Sequence, residues 1–132
     1  MTPKEILRRY RKIAVVGISN DRTRASNGVS RYMLGQGYEI VPVNPLITEF
    51  EGIPAVPDLA SVPGELEIVD IFRRPEHVPA IVDAAIAKGA KVIWMQQGIA
   101  HEEAAERARK AGLDVVEDRC ILIEHMAQKH DV

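Results

Sequence analysis

The chain has 132 residues, 46% apolar and 27% charged, with a formal net charge of −2 at pH 7. At roughly 150 residues per domain, this predicts one globular domain over residues 1–132 and excludes wholesale disorder. The charge excludes a protein that works by phosphate contacts over its whole surface, but not a local basic site. In chain order, Thr2-Pro3-Lys4-Glu5 opens a short helix, with Thr2 as cap, Pro3 in the first turn and Glu5 completing a capping box. Lys12 to Gly17 reads as a strand, and its apolar run suits a parallel strand covered on both faces. A polar loop runs from Ile18 to about Arg24. A helix follows from about Asn27 to Gln36, with Val29, Tyr32 and Met33 at helical spacing and Gly37 closing it. Tyr38 to Val43 is a second strand. The segment from Asn44 to Glu67 holds Pro45, Pro54, Pro57 and Pro63, and predicts loops with one short helical turn near Leu59.

Ile68 to Phe72 is a third strand. Pro75 starts a helix to about Lys88, whose Val78, Ile81, Val82, Ala85 and Ile86 form one apolar stripe. Val92 to Met95, a helix over Glu102 to Ala111, Leu113 to Val116 and a helix over Ile121 to Gln128 complete the pattern. Strands alternating with helices predict an α/β fold, a doubly wound parallel five-stranded sheet with helices on both faces. The expected strand order is 3-2-1-4-5. In such sheets ligands bind beyond the carboxyl ends of the strands, where strand order reverses. That rule selects Gly17 onward, Asn44-Pro45, Arg73-Arg74 and Gln96 to Gly98.

Gly17-Ile18-Ser19-Asn20 is neither a G-x-G-x-x-G fingerprint nor a P-loop. It still brings backbone N–H groups and a helix N-terminus to one spot, which suits a phosphate, and Arg22 and Arg24 add cations. The alternative is a solvated loop with capping by Ser26 or Asn27. The second strand ends Val43-Asn44-Pro45 without the acid that a dinucleotide ribose usually meets, which disfavours NAD. Arg73 and Arg74 suit a phosphate or diphosphate, unless they pair with Asp70 or Glu76. Gln96-Gln97-Gly98 can hydrogen-bond an uncharged amide-bearing arm, or simply form a turn.

One cysteine excludes an internal disulfide framework and a cysteine-based zinc cluster, and fits a cytoplasmic setting. Cys120 and Glu124 share a helical face, with His125 about 100° away, so no nucleophile–base set is predicted; Cys120 reads as a small core residue. His77 and His101 sit near helix starts as capping or exposed residues. His125 and His130 lack further ligands, so no metal site is expected. Trp94 reads as core. No stretch approaches the length of about 20 apolar residues that spans a bilayer, and the N-terminus shows no secretory signal.

The chain resembles the CoA-binding domain family, in the form of the N-terminal Rossmann-like domain of the succinyl-CoA synthetase alpha subunit. The residues that carry the resemblance are Val15-Val16-Gly17, Gly37-Tyr38 through Val41-Pro42-Val43-Asn44-Pro45, and Asp70 through Val78. Trp94-Met95-Gln96-Gln97-Gly98-Ile99 and Asp118-Arg119-Cys120 with Glu124-His125 complete them. The resemblance implies a CoA or acyl-CoA site, with Gly17, Ser19 and Asn20 at the phosphates and Asn44 and Pro45 near the adenosine. It places Phe72 and Arg73 beside the nucleotide, and Gln96 to Gly98 along the pantetheine arm. The full candidate set is Gly17, Ile18, Ser19, Asn20, Arg24, Asn27, Val43, Asn44, Pro45, Phe72, Arg73, Arg74, Gln96, Gln97 and Gly98. The synthetase's phosphorylated histidine lies outside the resemblance, so no ligase activity is implied.

The expectation is a cytoplasmic, non-catalytic module that binds CoA as its small-molecule partner, with no nucleic-acid or membrane partner and with room for a protein partner. Its rivals are a sensor of NAD(H) or another adenine nucleotide, a small enzyme with Cys120 as nucleophile, and an interaction domain with a degenerate site.

Overall fold

Thr2 caps the first helix, α1 (Pro3–Arg9), its side chain accepting from the Glu5 amide while Glu5 reaches back to the Thr2 amide. From there a computed structural model describes residues 1–130. Five parallel strands follow in the main sheet: β1 (Lys12–Val16), β2 (Glu39–Val43), β3 (Ile68–Ile71), β4 (Val92–Met95) and β5 (Asp114–Val116). The remaining helices are α2 (Ala25–Gly35), α3 (Val78–Lys88), α4 (Glu102–Lys110) and α5 (Ile121–Lys129). The sequence reading missed a two-residue hairpin pairing Glu49–Phe50 with Ile53–Pro54, but placed the short helical turn now seen at Leu59–Ser61. Gly89, at φ 80°, ends α3 in the left-handed conformation expected of a helix-closing glycine.

Side chains alternate between two apolar layers. On one face α1, α2 and α5 bury Ile6, Leu7, Met33 and Ile121 against Ile13, Val15, Ile68 and Trp94. On the other, α3 and α4 bury Val78, Val82, Ala105 and Ala108 against Val16, Val69, Ile71 and Ile93, joined by Leu59, Val62 and Leu66 of the β2–β3 connection. Helices cover both faces, so the α/β doubly wound architecture is as expected.

The strand order differs. It is β2-β1-β3-β4-β5, that is 2-1-3-4-5, where 3-2-1-4-5 was expected. Pro42 supplies the reason. The Glu39 amide donates to Arg11 across the β1 side, and the Pro42 carbonyl accepts from Val56 on the other side. Proline has no N–H to give on that outer side, so β2 is confined to the edge. β3, wholly buried, instead pairs with β1 from Ile13↔Ile68 to Val16↔Ile71. The reversal therefore falls between β1 and β3, whose following helices lie on opposite faces.

Candidate ligand site

At that reversal the carboxyl ends of β1, β2 and β3 diverge and leave a cleft of about 660 Å³. Gly17 forms its floor. Its φ is 87°, and a Cβ there would stand 2.7 Å from the Phe72 carbonyl oxygen and 2.8 Å from Arg73 Cδ. Only glycine fits both the turn and this approach. The Gly17 amide donates to the Val43 carbonyl at 3.0 Å, and the Phe72 amide to the Val16 carbonyl at 2.9 Å, so the strand ends stay paired up to the cleft.

The polar loop after Gly17 is fastened from three sides. The Ser19 amide donates to Ser26 Oγ at 3.1 Å, and Asn27 Nδ2 donates to the Ser19 carbonyl at 3.0 Å. Asn44 Nδ2 donates to the Ile18 carbonyl at 2.8 Å, and Asn20 Nδ2 to the Glu49 carbonyl at 2.9 Å. Capping by Ser26 or Asn27, the alternative reading of this loop, is not what the structure has. Both lie inside α2, which starts behind Arg24 with no side-chain cap; Ser26 Oγ and Asn27 Nδ2 bond the loop, while Asn27 Oδ1 accepts from Arg31 Nε. Ile18 is fully buried in the core and Asn27 is 2% exposed, so both act by holding the loop in place.

Gly17, Ser19, Arg24, Val43, Asn44, Pro45, Phe72 and Arg73 all line the cleft. The sequence reading missed Leu46, Pro57, Asp58, Ile81 and Ala84, which line it too. Leu46 is 88% exposed at the rim. Asp58 arrives because Val56 bridges to Val43 and folds the connection back along β2; its Oδ1 accepts from the Ser61 amide and hydroxyl. Proline spacing alone did not reveal that return.

Arg73 has no ion pair or hydrogen bond among the described residues. The expected alternative partner, Asp70, is buried in the sheet; burial pushes its carboxyl well above its usual pKa, and its Oδ1 lacks a partner. Arg74 lies 3.9 Å from Glu76, both exposed. A second hollow of about 470 Å³ continues past Arg73 to Arg74, Gln96, Gln97, Gly98 and Cys120, sharing Ala25, Phe72 and Arg73 with the first. The structure thus brings the expected Gln96–Gly98 turn next to Arg73.

The Cys120–Glu124–His125 group is dispersed. Cys120 is half-buried at the start of α5, Glu124 accepts from Arg119 at 2.7 Å, and His125 Nδ1 meets Tyr32 Oη at 2.8 Å between α2 and α5. Burial, with the charges of Lys129 and Arg11, lowers the His125 pKa below its usual value. His101 caps α4, its Nδ1 accepting from the Ala104 amide at 3.1 Å. Trp94 is fully buried, as expected. Among the described residues no cluster of His, Cys, Asp and Glu is placed to hold a metal ion. Nor is any helix long and apolar enough to cross a membrane.

A polar loop before a helix, an unpaired arginine and a continuous groove along the strand ends suit an extended ligand that carries phosphate. The chain is 43% identical over 126 residues to the uncharacterized protein YneT of Bacillus subtilis (strain 168), covering 96% of this chain and 93% of that one. It is similar to a solved protein from Pyrococcus horikoshii OT3, at 39% identity and a TM-score of 0.93, covering 98% of this chain and 93% of the other. The dinucleotide-forming acetyl-coenzyme A synthetase 1 of Ca. Korarchaeum cryptofilum shares the fold over 80% of this chain and 25% of its own, at 24% identity and a TM-score of 0.72. The family model described as CoA binding domain matches residues 11–126, and the chain belongs to that family.

Proposed function

We propose that residues 1–132 form a single module that binds CoA or an acyl-CoA across the two hollows, in the cytoplasm and without catalysis of its own. Its role is that of carrier, sensor or partner subunit. Arg73 is the observation that carries the reading. It stands unpaired where the two hollows join, held against Gly17, and a guanidinium in that position is suited to a diphosphate. Family membership supports the choice of CoA among phosphate-bearing ligands. The dispersal of Cys120, Glu124 and His125 supports a binding role over a nucleophilic one. Among the described residues of the cleft, Asp58 is the acid that would suit the ribose of NAD, and its Oδ1 accepts from the Ser61 amide and hydroxyl.

Calorimetric titration of ligand-stripped protein with CoA, dephospho-CoA and NAD tests this. The expected result is binding of CoA, weaker binding of dephospho-CoA, and a loss of about tenfold or more in CoA affinity for Arg73→Ala, the scale of one charge-assisted contact. Equal affinity for NAD, or no heat from any of the three, overturns it; the latter result would favour an interaction domain with a degenerate site.

A further inference from the structure

We propose that the second hollow receives the acyl group of a CoA thioester, and that this group is a short uncharged hydrocarbon chain. The proposal rests on the CoA reading above and deepens it by naming the class of acyl group. The two hollows share Ala25, Phe72 and Arg73, so a ligand whose diphosphate meets Arg73 at the shared wall can extend its arm into the second hollow. A chain joined to the end of that arm reaches lining that the first cleft does not share, which includes Val29, Pro75, Ile99 and Cys120.

That lining is apolar and held from both sides of the sheet. Ile99 packs against the layer under α3 and α4, while Phe72 and Cys120 pack against the layer under α1, α2 and α5. Core packing behind each wall keeps the hollow in shape. The polar groups of the adjoining turn are spent on one another. The Gly98 amide donates to Asp118 Oδ1 at 2.6 Å, the Ile99 amide to the Gln96 carbonyl at 2.8 Å, and the Asp118 amide to the Ile99 carbonyl at 3.0 Å. Gln96 Oε1 accepts from the Ile121 amide at 3.1 Å. Among the described residues no acid lines the hollow, and of its two arginines Arg73 belongs to the shared wall. The Arg74 side chain is 85% exposed and 3.9 Å from Glu76, so it turns to solvent.

These walls discriminate by chemistry and by size. A hydrocarbon chain laid on them leaves water and covers apolar surface, which is worth about fourfold in affinity per fully covered methylene. A carboxylate at the end of the chain would exchange water for an apolar wall with no buried counter-charge, which opposes binding. The hollow holds about 470 Å³, in the lower half of the range of roughly 300–1,000 Å³ that small-ligand sites span. The arm fills part of it, so the chain that fits behind the arm is short.

The test is calorimetric titration of ligand-stripped protein with CoA, acetyl-CoA, butyryl-CoA and succinyl-CoA. Butyryl-CoA is expected to bind tightest, about tenfold tighter than acetyl-CoA for its two further methylenes. Succinyl-CoA, whose chain is as long but ends in a carboxylate, is expected to bind at least about tenfold more weakly than butyryl-CoA. Ile99→Thr and Val29→Thr, each with its urea midpoint checked against the parent, should cut the butyryl advantage over acetyl-CoA to about threefold or less. If CoA binds and its acyl forms bind no better, or if succinyl-CoA matches butyryl-CoA, the acyl inference fails and the CoA reading stands. A butyryl advantage that persists in full in both variants at parental stability overturns it as well. If none of the four ligands binds, both fail.

Discussion

Gly17 is the position at which one methyl group would matter most. A Cβ would fall 2.7 Å from a backbone oxygen and hold a left-handed φ as well, so Gly17→Ala is expected to destabilise by about 2 kcal/mol or more. A lower urea midpoint, together with lost CoA binding, would show that β1 and β3 close the cleft through this contact. Asp70 makes the opposite case. Folding keeps its proton on to a higher pH than the usual 3.8, so its contribution favours the native state most below 3.8 and is lost as pH rises through the raised native value. Asp70→Asn carries no charge in either state, and is expected to melt higher than the parent once pH exceeds 3.8, with the gain growing until pH passes the raised native value. A melting temperature that moves in parallel for both proteins across pH would refute it. Arg73 was legible in the sequence because it follows an apolar strand at its carboxyl end. That Asp70 does not neutralise it was not legible, since adjacent charges in sequence say nothing about which face of the sheet each one takes.

Between elements, the ring cluster of Tyr32, Tyr38 and His125 joins α2 and α5 near the start of β2, with both tyrosines edge-on to the imidazole. Tyr38 Oη also donates to the Leu7 carbonyl at 2.6 Å, which ties in α1. The native His125 holds a proton less readily than its usual value of 6.5. Its contribution is present above that pH and is lost as pH falls below 6.5, when the unfolded chain gains a proton that the native cluster resists. Unfolding midpoints in urea should therefore drop on acidification, and the drop should shrink in His125→Gln. Asp70 slopes the other way, so the His125 effect should be steepest in the Asp70→Asn background. Helix periodicity placed α2 and α5 to within about two residues at each end. It could not place Ser26 and Asn27, because the competition between capping a helix and fastening a loop is decided by where Ser19 lies, eight residues or so away and outside the helix.

Across the whole molecule, alternating strands and helices were enough to read the architecture and the end of the sheet at which to seek a ligand. The order of the strands depended on a single residue that was quoted but not weighed. Pro42 faces its missing donor away from β1 and leaves only the bridge at Val56 on that side. The cleft residues Asp58 and Pro57 follow from the same return of the chain, which explains why they too escaped a reading by local pattern. Pro42 bears equally on how copies of the protein meet one another. An edge strand of apolar residues is a template for a strand from another molecule, and long open edges are a common route to aggregation. A proline with no N–H to give on that outer side interrupts the ladder any incoming strand would need. Pro42→Val should keep the fold and the CoA site, yet raise light scattering on concentration or mild heating. Unchanged scattering would mean that the Val56 segment alone is sufficient to shield the edge. The residue that fixes where the ligand cleft opens would then also be the one that keeps each sheet to its own five strands.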